Sequence, residues 1–220
     1  DYGSHTEALA AYAQLDYNLT DALKLTLGAR YTHEKKDITR YFRINYDAAN
    51  GITSPLVVAN LPYGSVPDAK YNSFSPAVTL AYQVSKDINV YARFAQGFKS
   101  GGFNGETNSF GAPTAACPTG AVELCNPYRP EKVDSYEIGL KTRLAGGKVI
   151  FNVAAFWDEH KDIQLSVFKA GAGASSIVNN AAKARIRGLE IETVLRPIDP
   201  LTINASLAFI DPKYKSYIEA

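Results

Sequence analysis

The residue types that carry most enzyme and metal chemistry are few in this chain and lie far apart. The three histidines are His5, His33 and His160, and none has a second ligand at a spacing typical of metal sites. His33 precedes a glutamate but lacks the second histidine of a zinc-protease motif. The acidic run 158–160 with Asp162 could hold a cation, although a solvated strand end is the simpler interpretation. We therefore predict no catalytic centre, no cofactor and no enzyme.

These side chains belong to segments in which apolar and polar residues alternate strictly, as in LKLTLGARY at 23–31. In each segment the apolar residues occupy either the odd or the even positions, and we call this set the apolar parity. It comprises 42 positions, and none of them is Asp, Glu, Lys or Arg. At the charged fraction of the chain, 20%, about eight charged residues would be expected among them. A charge-free face opposite a polar face predicts the wall of a transmembrane β-barrel, because lipid solvates the outside and water the inside. A sheet packed on a soluble core has the same period. The segments are Leu9–Leu19, Leu23–Tyr31, Phe74–Val84, Ile88–Phe98, Tyr136–Leu144, Val149–Trp157, Leu189–Leu195 and Leu201–Phe209.

The connections between these segments alternate between short and long. The short ones cover 20–22, 85–87, 145–147 and 197–200, and the long ones run from about 35 to 72, 100 to 129 and 166 to 183. Short periplasmic turns and long extracellular loops are typical of outer-membrane barrels. The pattern predicts an all-β fold: an antiparallel up-and-down transmembrane β-barrel segment of about eight strands in the bacterial outer membrane.

Aromatic side chains support this orientation. Tyr17 and Tyr82 lie just before short turns, on the apolar parity. Five further aromatic residues of that parity lie about 9–11 residues from the short turns, which is the length of strand that crosses a membrane. Rings at these two levels are expected to form the aromatic girdles of the membrane interfaces. The outer aromatic girdle comprises Tyr31, Phe74, Phe98, Trp157 and Phe209.

Two positions interrupt the regular pattern. Pro76 lies inside the third segment and cannot donate a backbone hydrogen bond, so we expect a bulge or a strand edge there. The parity changes within Lys183–Gly188, which predicts a β-bulge.

The composition of the chain excludes further classes of protein. The net charge of +1, with basic residues dispersed among acidic ones, argues against a nucleic-acid partner. No apolar run approaches the length of a membrane-spanning helix. The chain contains no Met and shows no signal-peptide pattern at Asp1, so we expect it to be a piece of a longer protein.

Four segments resemble the C-terminal half of TonB-dependent outer-membrane receptors. They are YARFAQGFKSGGFN at 91–104, RPEKVDSYEIGLK at 129–141, AAKARIRGLEIE at 181–192, and Asp16–Tyr31. The resemblance implies that residues 1–220 are part of a 22-stranded barrel domain. It also implies a separate N-terminal plug domain outside this chain, and import of a scarce ligand with energy passed through TonB. A ferric siderophore is the expected ligand.

Ligand selection in such a receptor is expected in the extracellular loops, which carry function on a rigid scaffold. Arginine and aromatic side chains there suit an anionic chelate, and they would equally stack on a sugar or a corrin ring. Arg93 and Lys99 lie on the polar parity and are the best candidates to face the lumen, where contact with the plug or a plain polar wall is the simpler role. The loop candidates are Arg40, Tyr41, Arg43, Tyr46, Phe103, Asn104 and Phe110.

Cys117 and Cys125 lie in the second long loop and enclose a short polar stretch. Outside the cell a disulfide can form, and it would restrict this part of the loop. A metal site or two free thiols are the alternatives. We predict a disulfide.

Two other classes of protein remain compatible with the alternation. A complete eight-stranded outer-membrane barrel with a structural or adhesion role is the first, since eight strands can close. A soluble ligand-binding barrel of the lipocalin type is the second, but it requires an apolar interior and a charged exterior, the opposite of the sidedness seen here.

Overall fold

The structure, a computed structural model, describes residues 1–44, 56–106, 114–115, 117–169 and 175–217. Nearly all of this part of the chain is β-strand, and none of its helices is long and apolar enough to cross a membrane. The strands are β1 (Tyr2–Asn18), β2 (Leu23–Ile44), β3 (Leu56–Leu61), β4 (Ala69–Ser85), β5 (Ile88–Lys99), β6 (Glu131–Leu144), β7 (Val149–Lys169), β8 (Ser175–Ile198) and β9 (Leu201–Tyr217). A single helical turn, α1 (Val122–Cys125), precedes β6, and a 3₁₀ turn covers Ala145–Gly147.

The strands form one antiparallel sheet in which eight of them follow chain order as an up-and-down meander. This arrangement confirms the predicted fold class. The ninth strand, β3, lies off this path and pairs with β2. The sequence predicts a loop there, because β3 is short and falls within the first long connection.

The register places the apolar parity of all eight segments on one side of the sheet. Tyr17 pairs with Leu25, and Leu25 pairs with Leu80. The same side continues through Tyr136 opposite Trp157 and through Leu189 opposite Phe209. We call this side the outward face and the opposite side the inner face. Large apolar side chains remain uncovered on the outward face, with Leu9 75% and Phe209 68% exposed, as a wall solvated by lipid requires.

The long connections contain more strand than the sequence predicts. β2 continues past Tyr31 to Ile44, and β7 and β8 continue pairing as far as Lys169 and Ser175. Both faces of these extensions lie in water beyond the membrane, so the lipid no longer enforces alternation. The extracellular ends of the wall are therefore tall hairpins.

Both predicted irregularities coincide with changes in pairing. The ladder between β4 and β5 begins at Ala77, directly after Pro76, so β4 is a strand edge on that side beyond this point. The ladder between β8 and β9 shifts between Lys183 and Ala184, within the predicted bulge region. The ladder between β7 and β8 shifts on both sides of Ile163.

The buried core of the described residues is small and lies at the extracellular end. It comprises Ile38, Val66, Ala121 and Leu124, with Leu61, Phe103 and Cys125 packed against it. Ile38 has the inner-face parity of β2, so the segments around Val66 and Leu124 fold over the inner face. The core therefore holds extracellular segments against the wall.

Candidate functional site

The inner face of the wall is a polar groove across β1 to β6. The Tyr91 hydroxyl donates a hydrogen bond to Glu137 Oε1 at 2.5 Å, and the Lys141 ammonium lies 5.3 Å from the centre of the Tyr91 ring. Arg93 is exposed in the same groove and pairs in register with Glu137. The groove is therefore lined by cations, a carboxylate and an aromatic ring, a surface suited to water and polar contacts.

The segment between β5 and β6 folds inward from its first residues and is anchored at several points. Lys36 Nζ donates to the Gly101 carbonyl at 2.8 Å. Gly102 and Tyr128 exchange two backbone hydrogen bonds of 3.1 and 2.8 Å. The Tyr71 hydroxyl of β4 donates to the Tyr128 carbonyl at 3.1 Å, and burial raises the pKa of Tyr71 to about 12. Tyr71 therefore remains a neutral donor at physiological pH.

Two side chains of the β7–β8 hairpin fasten the base of this segment. Gln164 Nε2 donates to the carbonyls of Ser100 at 2.9 Å and Arg129 at 3.0 Å. Asn180 Nδ2 donates to the Arg129 carbonyl at 2.8 Å, while its Oδ1 accepts from the Arg129 amide at 2.7 Å. The two ends of the segment are therefore held side by side.

Three of the predicted ligand-loop residues take part in packing or bonding within the chain. Asn104 is 8% exposed and bonds to both backbone groups of Val178 through its amide, at 3.1 and 2.7 Å. Phe103 packs against the extracellular core. Arg40 is 7% exposed, stacks on Phe42 at 5.4 Å, and donates to the Asp1 carbonyl at 3.3 Å.

The remaining candidates are separated from these residues. Tyr41 and Arg43 are exposed and share the outward parity of β2, whereas Arg40 lies on the inner face. Tyr46 and Phe110 lie outside the described residues. Lys99 is exposed on the inner face opposite Glu131. The described structure therefore brings Arg40, Phe103 and Asn104 to the inner side of the extracellular end, and it separates them from Arg43.

Cys117 and Cys125 are joined by a disulfide with Cα atoms 5.6 Å apart. The bond closes the residues around α1, and Cys125 packs against the same core as Leu124. It therefore cross-links the part of the segment that covers Ile38.

We expect neither cysteine of the unreduced protein to react with a maleimide probe, and both to react after reduction. Mass spectrometry of the 117–125 peptide measures the labelling. Replacing both cysteines with serine should increase protease cleavage within 114–129, because the disulfide restricts the unfolded ensemble of this segment. Labelling of both thiols before reduction would contradict the bond.

Apart from Asn104, the side chains that anchor the β5–β6 segment are absent from the sequence-based candidates. Tyr128 directly precedes the RPEKVDSYEIGLK motif, and its position next to a segment that resembles the family could have identified it as a candidate. Gln164 and Asn180 gave no signal, because the shifts around Ile163 disturb the parity that would assign them to a face. Among the residues that the structure describes, no three His, Cys, Asp or Glu side chains gather as a possible metal site.

A meander with an outward face free of charge over its eight membrane-crossing segments, a polar inner face, short turns at one end and tall hairpins at the other is a wall segment of a transmembrane β-barrel. The family model "TonB dependent receptor-like, beta-barrel" matches residues 1–219, and the chain belongs to this family. The members are receptors of the outer membrane, which is the location of this wall.

Curated relatives agree with this assignment. The chain is 29% identical over 190 residues to the pesticin receptors of Yersinia enterocolitica and Yersinia pestis, an alignment that covers 86% of the chain and 24% of each relative. The chain therefore spans about a quarter of the length of these relatives.

Solved structures show the same fold. The ferric yersiniabactin uptake receptor FyuA from Yersinia pestis aligns with a TM-score of 0.69 at 24% identity, over 98% of this chain and 28% of that one. The pyoverdine outer membrane receptor FpvA from Pseudomonas aeruginosa PAO1 aligns with a TM-score of 0.61 at 17% identity, over 97% and 26%. The copper transporter OprC aligns with a TM-score of 0.68 at 18% identity, over 97% and 30%.

Proposed function

We propose that this chain is part of the barrel wall of an active receptor that takes up a ferric siderophore. The observation that supports this function is an extracellular segment, between β5 and β6, fastened over the polar inner face of the wall. Its anchors on β2, β4, β7 and β8 give a fixed rim above a water-lined interior. The likeness to the ferric yersiniabactin uptake receptor supports a ferric chelate as the cargo.

The proposal includes a plug domain and an energising partner. A wide barrel needs an internal domain to close its lumen, and Arg93, Lys99 and Glu137 on the inner face would contact such a plug. Residues 1–220 would then be one part of the barrel domain, and TonB would act on the plug.

The decisive experiment measures uptake of iron-55 from a panel of ferric siderophores under iron limitation. Cells with the intact receptor, cells with its gene deleted and cells without TonB are compared. We expect one siderophore to be taken up only when both the receptor and TonB are present. Uptake that is identical in all three strains for every siderophore would contradict the proposed cargo.

The two arginines of the first extracellular hairpin should differ in their effect on this uptake. Arg40 lies on the inner face and Arg43 on the outward face, and this difference supports the proposal that Arg40 rather than Arg43 attracts an anionic ligand entering the barrel. We expect Arg40→Ala to weaken siderophore binding about tenfold to a hundredfold, the range for a charge-assisted hydrogen bond, and Arg43→Ala to leave it unchanged. Binding of the ferric siderophore to the purified receptor measures both.

Arg40→Lys separates charge from packing. Burial lowers the pKa of the Arg40 guanidinium from its ordinary value, yet the group remains a cation at neutral pH. If Arg40 acts through its charge, Arg40→Lys should recover most of the affinity lost in Arg40→Ala. Equal losses in Arg40→Ala and Arg43→Ala would remove the proposed difference between the faces.

A further inference from the structure

Three cationic side chains of the inner face follow one another from the extracellular end of the wall to the periplasmic end. Arg30 on β2, Arg93 on β5 and Lys141 on β6 lie level with three positions of β4 that are spaced four residues apart. Those positions are Ser75, Thr79 and Gln83. At about 3.3 Å per residue, successive cations are spaced by about 13 Å and the set extends over about 26 Å, most of the thickness of a membrane. We call these three residues the inner cation row.

The two arginines of the row are not neutralised by an acid. Arg30 is exposed and its Nε donates to the Thr32 hydroxyl at 3.2 Å, and Arg93 is exposed as well. Among the described residues neither guanidinium group forms an ion pair with a carboxylate. The charges of both arginines are therefore available to a molecule in the lumen.

The row borders an open groove of about 530 Å³ on the inner face. The Tyr91 ring leaves this groove free because it lies over Gly139 of β6, where a Cβ would come within 2.4 Å of the ring. The Tyr91 hydroxyl is held on that side by its hydrogen bond to Glu137, and the Lys141 ammonium lies over the same ring. The floor of the groove consists of small side chains of β2 and β4, namely Thr26, Gly28, Ala77, Thr79 and Ala81.

The unpaired acids of the membrane-crossing inner face lie on the β8 side of this groove. Glu190 and Glu192 are exposed on β8 and line the neighbouring groove together with Glu137. On the β1 and β2 side, Asp16 and Glu34 each lie within 3.5 Å of a lysine ammonium. The inner face is therefore positive along β2 to β5 and negative toward β8. Such a division of charge directs an anion to the groove over β4, because charged clefts with walls of low dielectric constant concentrate the opposite charge.

We propose that the inner cation row is the route by which an anionic chelate crosses the barrel, in the groove over β4. This inference rests on the proposed uptake function and assigns a path to its cargo. The chelate would pass from Arg30 to Arg93 and then to Lys141, and the small side chains of the floor leave room for it. Separate, hydrated charges attract an anion without holding it, as passage through a pore requires.

The test separates binding from transport in cells that carry the intact receptor, and it leaves Arg93 in place because that residue also faces the proposed plug. Arg30→Gln combined with Lys141→Gln should lower the saturated rate of TonB-dependent iron-55 uptake about twenty-fivefold, at about fivefold for each unit charge about 4 Å from the anion in water. The affinity for the ferric siderophore, measured in cells without TonB, should be unchanged. Arg30→Lys combined with Lys141→Arg keeps both charges and should transport at the native rate.

Lys86→Gln combined with Lys148→Gln is the matched control, because it removes the same charge from two exposed short turns. An unchanged rate in the Arg30→Gln and Lys141→Gln variant, or an equal loss in this control, would overturn the proposed route. A loss of affinity as large as the loss of rate would place the two cations in the binding site and would also overturn it. Absence of TonB-dependent uptake by the native receptor would instead contradict the proposed function itself.

A second variant narrows the groove without removing a charge. Gly139→Ala displaces the Tyr91 ring from β6, and the nearest open space for the ring is the groove over β4. We expect slower uptake at unchanged affinity, and we expect Tyr91→Ala in the same protein to restore the rate because it removes the obstructing ring. A native rate in Gly139→Ala, or a rate that stays low when Tyr91→Ala is added, would count against passage through this groove.

Discussion

A lysine in place of Ala205 should lower the free energy of unfolding of the receptor by about 2–4 kcal/mol, the cost measured for a cation at the midplane of a barrel wall. Ala205 lies midway along the membrane-crossing part of β9, between Ile203 and Leu207 on the outward face. Because alanine is small, the substitution adds a charge to the lipid without removing a large apolar side chain. Denaturant titration of the intact receptor in lipid vesicles measures the change.

Ser206→Lys is the matched control for this prediction. Ser206 is the next residue on the same strand, faces the interior, and pairs in register with Glu192. A lysine there meets water and a carboxylate, so we expect a change within about 0.5 kcal/mol. If both variants lost the same stability, the outward face would not be solvated by lipid, and a soluble barrel would again be the better interpretation.

Gly101→Ala should release the β5–β6 segment from the wall. A Cβ at this position would lie 2.1 Å from the Tyr128 carbonyl oxygen and 2.6 Å from the Tyr71 ring. The carbonyl belongs to the backbone, so it cannot move without breaking the bridge between Gly102 and Tyr128. Overpacking of this kind costs about 1–3 kcal/mol, which corresponds to hydrogen exchange about fivefold to 150-fold faster for the amides of Gly102 and Tyr128.

Gly28→Ala provides the comparison for Gly101→Ala. A Cβ on Gly28 would approach Ala77 and the Tyr12 hydroxyl no closer than 3.7 Å, an ordinary contact on the inner face. We expect this variant to exchange at the normal rate. Unchanged exchange at Tyr128 in Gly101→Ala would show that the tight packing around Gly101 does not hold the segment.

The sheet could be predicted from sequence wherever the membrane restricts the residues. Charge is excluded from the outward face by lipid, so the parity of β1 or β9 could be assigned from alternation alone. A shift of one residue in the strand pairing would place Lys24 or Glu192 in lipid. The free-energy cost of burying a charge there therefore also determines the register. The disulfide partner of Cys117 was equally accessible to prediction, because the chain has only two cysteines.

Prediction failed where both faces of a strand lie in water. β3 and the upper parts of β2, β7 and β8 carry no charge-free stripe, so they were assigned to loops. The same limit affected the candidate site. Arg40 and Arg43 were grouped by proximity in sequence, yet a spacing of three on a continuous strand places them on opposite faces. Asn104 is a candidate because it lies in the second long loop, and its contact with Val178 depends on a hairpin that is distant in sequence.

The anchored segment between β5 and β6 has a kinetic and entropic consequence for any molecule that binds at the rim. Immobilising a free loop during association costs about 0.5–1.5 kcal/mol for each side chain that becomes ordered. The backbone carbonyls of Gly101, Tyr128 and Arg129 are already held by Lys36, Tyr71, Gln164 and Asn180, so at these points the cost is met when the barrel folds. A ligand that contacts them would meet a preorganised surface, and its association rate would be governed by diffusion into the barrel mouth rather than by loop closure.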